Sequence, residues 1–167
     1  RTGGYEYDRQ VMAGLQARGW RIHVVSLAGS YPFPGSGERA EAARALAAIP
    51  DGTLVLADGL AFGALPDEVA RERDRLRLVA LVHHPLGRET GLDPSDAERL
   101  LASERAALAS ARAVVVTSRR TVQAVETLGV PAARIAVVEP GTRPAPAATG
   151  SGGPAVHLLC VASLVPR

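Results

Sequence analysis

The sequence predicts an α/β domain built on a parallel sheet. Three observations lead there. Short apolar runs recur along the chain, each bounded by Gly, Pro or polar residues. Several are apolar at consecutive positions, as a strand buried on both faces requires. Segments with helical spacing separate them through short connections, and that alternation closes by right-handed crossovers onto one sheet. The length agrees, since 167 residues suit one domain, or one domain and part of a second.

The elements follow in order. Residues 5–18 place Val11, Leu15 and Arg18 near one helical stripe and stop at Gly19, a residue suited to the position after a helix. Residues 21–27 (RIHVVSL) read as a strand. Residues 38–49 form an Ala-rich helix ending at Pro50. A strand is expected over 53–57 (TLVLA), then a helix over 66–76 with Pro66 in its first turn. Strand 78–82 (LVALV) precedes a long helix over 94–111, capped by Asp93. Strand 113–117 leads into a helix over 118–128 with Ser118 as cap and Gly129 at its end. Strand 135–138 completes the series. Residues 143–154 (RPAPAATGSGGP) have linker composition, and 156–161 (VHLLCV) read as one further strand.

Composition excludes several classes. At 47% hydrophobic and 22% charged residues the chain is globular and not disordered. The balance of 19 basic against 17 acidic residues gives net +2, too even for a nucleic-acid partner. All 19 basic residues are Arg. Without Lys there is neither a Walker P-loop nor a Schiff-base nucleophile. With 30 Ala, the plain explanation of the missing Lys is the coding bias of a GC-rich gene. The single Cys160 excludes an internal disulfide and a multi-Cys metal site, and with no H-E-x-x-H motif no metal is expected. No leader-like apolar segment stands at the start, and the uncharged run 144–166 reads as linker and strand, not as a membrane span. The expected location is therefore cytoplasmic, with peripheral contact to the inner membrane face left open.

Ligands of open α/β sheets bind outside the carboxyl ends of the strands, so the residues after each apolar run carry the chemistry. Gly3 and Gly4 before a helix let backbone N–H groups approach a phosphate, or simply make a tight turn. The dinucleotide fingerprint is not met, because residues 5–9 hold no Gly. Asp58 can bond a substrate hydroxyl, orient a His, or cap a helix. His83 and His84 close a buried strand. Either can contact a substrate or stabilise developing charge, or merely bond nearby backbone. Ser118 follows the next strand. No G-x-S-x-G nucleophile elbow is present. The charges of 71–77 (RERDRLR) read as a solvated helical face.

These residues also carry a resemblance. Thr2-Gly3-Gly4-Tyr5 before a helix, RGWRIHVV at 18–25, Leu81-Val82-His83-His84-Pro85, Val115-Val116-Thr117-Ser118 and Val138-Glu139-Pro140-Gly141-Thr142 resemble the amino-terminal domain of glycosyltransferase family 4. Leu159–Arg167 is similar to the strand that opens that family's second domain. The resemblance implies a GT-B enzyme of two Rossmann-like domains facing across a cleft. Such enzymes move a sugar from a nucleotide-diphosphate donor to an acceptor with retained configuration, usually without metal or other cofactor.

Residue by residue, Gly3 and Gly4 match the loop that approaches the donor diphosphate. His83 matches the His near the transferred sugar, with His84 one register away, and Asp58 and Ser118 fall on the substrate-facing rim. Residues 1–142 are then expected to be the Rossmann-like acceptor domain, lacking its first strand. Residues 143–154 are the linker, and 155–167 begin the donor domain. The expected partners are a nucleotide sugar, a glycan, lipid-linked or small-molecule acceptor, and the donor domain in cis. The family's donor-phosphate Lys and its E-x7-E pair are absent from these residues, and Ser163 stands where many members have Arg. The 167 residues alone are therefore expected to be inactive. A GT-B nucleotide-sugar 2-epimerase and a stand-alone, non-catalytic Rossmann-like binding module are the alternative readings.

Overall fold

A computed structural model describes residues 3–142, 144–147, 149–155 and 157–158. Among these residues four strands form one sheet: β1 (Leu54–Asp58), β2 (Arg77–Val82), β3 (Ala113–Val116) and β4 (Ile135–Val137). Their order is β1-β2-β3-β4, and every pairing is parallel. Among the described residues six α-helices accompany them: α1 (Gly3–Ala17), α2 (Ser36–Ala47), α3 (Gly59–Phe62), α4 (Pro66–Glu72), α5 (Pro94–Ala109) and α6 (Arg119–Thr127). The domain is α/β with a parallel, Rossmann-like sheet, as the alternation predicts.

Burial explains the choice of elements. Leu78, Ala80 and Val82 of β2 and Val114 and Val116 of β3 are closed off between helices, together with Phe62, Val69, Leu108 and Val125. These two central strands carry the apolar runs Leu78–Val82 and Ala113–Val116. The caps sit where the side chains demand. Asp93 Oδ1 accepts from Ser95 N at 2.8 Å, and Ser118 Oγ accepts from Thr121 N at 3.2 Å. Gly19 and Gly129 take φ of +87° and +89° just past α1 and α6, a conformation that costs Gly nothing sterically.

Three expectations need correction. Residues 21–27 form no strand: they make no ladder with any described strand, and Val24 and Val25 are 66% and 56% exposed. Only Leu27 of this run packs against the core. A β-branched composition supplies propensity, but a strand exists only where a neighbour accepts its ladder. Second, the helix expected over 66–76 ends at Glu72. Arg75 is not part of a solvated face. Its guanidinium bonds Glu72, the Ile49 carbonyl, Asp51 at 3.0 Å and the Leu46 carbonyl at 2.7 Å, which pins the end of α2 to the segment before β2. Third, the short helix α3 had no counterpart in the sequence reading. The further strand expected at 156–161 falls on residues of which only 157 and 158 are described, and neither is in a strand.

Candidate functional site

Parallel strands deliver their carboxyl ends to one edge. Asp58, the last residue of β1, is level with Leu81 of β2, and His83 follows immediately after Val82. The two therefore stand side by side on the rim. Asp58 also starts α3, with its Oδ1 accepting from Leu60 N at 2.7 Å. The capping role and the rim position belong to the same side chain.

The third member comes from α1. Asp8 Oδ1 lies 3.0 Å from His83 Nε2. Both side chains are a quarter exposed, screened enough to strengthen the pairing and open enough for a ligand to reach. Gly4 stands one helical turn before Asp8, so both face His83. A Cβ on Gly4 would lie 3.3 Å from His83 Cδ2, so the missing side chain is what lets the helix backbone meet the ring. Tyr7 meets the same ring edge-on at 5.3 Å between centroids and donates its hydroxyl to the Val138 carbonyl at 2.8 Å. Gly3, Tyr7 and Val11 of α1 then line a groove of about 500 Å³ against Val138, Glu139 and Gly141.

The electrostatics follow from this crowding. Burial, reinforced by the neighbouring Asp58 carboxylate, raises the Asp8 pKa, while the bond and charge of His83 oppose the rise. Burial, and then the Asp8 charge, raise the pKa of Tyr7. Asp8, Asp58 and His83 each offer one ligand atom, all within 4.8 Å of one another, so the trio has the donors for a metal ion. All three residues are already engaged, since His83 Nε2 and Asp8 Oδ1 face each other and Asp58 Oδ1 caps α3.

The sequence-predicted residues thus separate. Gly4, Asp58 and His83 come together. Gly3 begins α1 with open space around it. His84 is exposed and turns away, its Nε2 3.0 Å from the Arg88 carbonyl, which is the backbone-bonded alternative. Ser118 ends the β3 segment on the same sheet edge and is engaged as the cap of α6 with Thr121. Sequence reasoning missed Asp8 and Tyr7. Their only signal was helical spacing from the glycine pair, at three and four residues after Gly4.

Among the described residues no helix is long and apolar enough to cross a membrane. Neither a curated protein nor a solved structure matches the chain. A family model does: it spans residues 7–145 and so takes in Asp8, Asp58, His83, His84 and Ser118, though not Gly3 and Gly4. With that match over most of its length, on a parallel α/β sheet of the expected kind, the chain belongs to Glycosyltransferase Family 4.

Proposed function

We propose that this chain is the acceptor-side domain of a retaining glycosyltransferase, which transfers a sugar from a nucleotide-diphosphate donor to an acceptor hydroxyl. Family membership supports a glycosyltransferase-like role. The observation that carries the finer reading is the convergence of the α1 amino terminus, through Gly4 and Asp8, on the His83 ring at the carboxyl edge of the sheet. The amino terminus of α1, at Gly3 and Gly4, presents the positive end of the helix dipole, which suits a diphosphate. An ionised Asp8 can only accept, so it holds the proton on His83 Nε2 and leaves Nδ1 to the substrate. In that role His83 orients the transferred sugar and stabilises an oxocarbenium-like transition state, with no covalent step assigned to it. Residues 1–142 form the acceptor domain, 143–154 the linker and 155–167 the start of the donor domain. No metal is assigned. A cytoplasmic location is part of the same proposal, with peripheral membrane contact left open.

The test uses the intact enzyme with both domains and a panel of nucleotide-diphosphate sugars. His83→Ala is expected to lower turnover by about 10²–10³-fold while circular dichroism stays unchanged. Unchanged turnover removes His83 from the site. Acceptor-independent inversion at the sugar C2 selects the epimerase instead, and an inverted anomeric product overturns retention. The 167 residues alone are expected not to turn over donor, and detectable transfer by them would overturn that part.

A further inference from the structure

Glu104 is an acid with no access to water. It lies on α5 with 0% exposure, in line with the buried Leu100, Ala107 and Leu108. A carboxyl placed there is costly unless it is bonded, and an aliphatic side chain would fill the position without that cost. Its bond is specific: Oε2 accepts from the backbone N–H of Leu86 at 2.9 Å. Among the described residues Oε1 has no hydrogen-bond partner. Leu86 stands three residues after His83 and opens the short 3-10 turn Leu86–Arg88.

The preceding residue of α5 acts on the neighbouring rim segment. Ser103 Oγ donates to the Gly63 carbonyl at 2.7 Å, and Gly63 ends the short helix that Asp58 begins. The two fastened segments meet with no room to slide. A Cβ on Gly63 would lie 2.8 Å from Leu86 Cδ1 and 3.2 Å from Glu104 Cγ.

We propose that Glu104 is a positioning residue for His83: by holding the Leu86 N–H it fixes the His83–Pro85 segment on the sheet edge, so that the His83 ring meets Asp8. Burial pushes the Glu104 carboxyl up to about 7, opposed by the bond from the Leu86 N–H and, to a smaller extent, by the charge of Arg88. The geometry of the pair does not depend on what the enzyme transfers. Only its importance for turnover rests on the function proposed above. Transfer assays therefore test that function, and the following experiment tests this positioning.

The 167-residue chain is labelled with ¹⁵N and compared at pH 8 as wild type, Glu104→Gln and Glu104→Met. Gln keeps an acceptor but loses the charge, and Met removes the acceptor at similar volume. The Leu86 amide proton is expected to move upfield in the order wild type, Gln, Met. Its exchange should accelerate about 10–100-fold in the Met variant. The His83 ring ¹⁵N signals should move in the same graded order as the Asp8 bond loosens. A Leu86 amide that moves while the His83 ring does not would reduce Glu104 to a local structural contact. If neither moves, or if His83 moves without Leu86, the proposal is overturned. Should the Met variant fail to fold, the wild-type and Gln pair decides by the same criterion.

Discussion

Asp8 is drawn in two directions by neighbours from different parts of the chain. His83 favours its charge, while burial and Asp58 oppose it. Removing one of the two adjacent carboxylates should therefore relax the other. In Asp58→Asn the Asp8 pKa is expected to fall, as read by carboxyl ¹³C titration. A rise or no change would mean that the two side chains do not share one field. The glycine pair offers a second contrast at this scale. Nothing lies within 4 Å of a Cβ on Gly3, whereas on Gly4 it would press the His83 ring. Gly3→Ala should leave Tm unchanged or slightly raised, since Ala favours a helix over Gly by up to about 1 kcal/mol. Gly4→Ala should displace the His83 ring signals and weaken the Asp8 pairing, and equal behaviour of the two variants would refute that contrast. Of this site the sequence made Gly4, Asp58 and His83 legible because each punctuates an element end. Asp8 was not, because its partner lies 75 residues away and only the folded sheet brings them together.

At the scale of elements, capped helix ends were legible where the absence of a strand at 21–27 was not, for a physical reason. A helix closes its own hydrogen bonds, so its limits are written locally, as at Asp93, Ser118, Gly19 and Gly129. A strand needs a partner, and residues 21–27 have the composition without the partner. Helix α5 shows how one element serves both stability and the site, because its buried face includes Glu104. The unfolded chain ionises this carboxyl near its ordinary value of 4.5, whereas the folded chain does so at about 7. The protonated form thus stabilises the fold fully below about 4.5, and this contribution is lost as pH rises through about 7. Relative to Glu104→Gln, the wild type should lose on the order of 3 kcal/mol between pH 4.5 and 8. Urea unfolding of both chains at the two pH values measures it. A constant difference between them would show that folding does not shift the Glu104 pKa.

Across the whole molecule the site joins the best-buried part of the fold to the least buried. His83 follows β2, whose Leu78, Ala80 and Val82 lie at the centre of the core. Asp8, Tyr7 and Gly4 belong to α1, which has no buried residue. Helices in proteins are held mainly by packing an apolar face, so α1 depends on a few specific contacts at the sheet edge. The bond from Tyr7 to the Val138 carbonyl is one of them, and it links α1 to the residue after β4 across 131 positions. Tyr7→Phe removes that bond and keeps the ring against His83, so it isolates the hydroxyl. The loss should be about 1 kcal/mol, or roughly fivefold faster amide exchange, confined to α1. Exchange in β2 and β3 should not change, since those strands open only with the core. If Tyr7→Phe also accelerated exchange there, α1 would be part of the cooperative core, and the groove between α1 and Val138 could not open independently of the sheet.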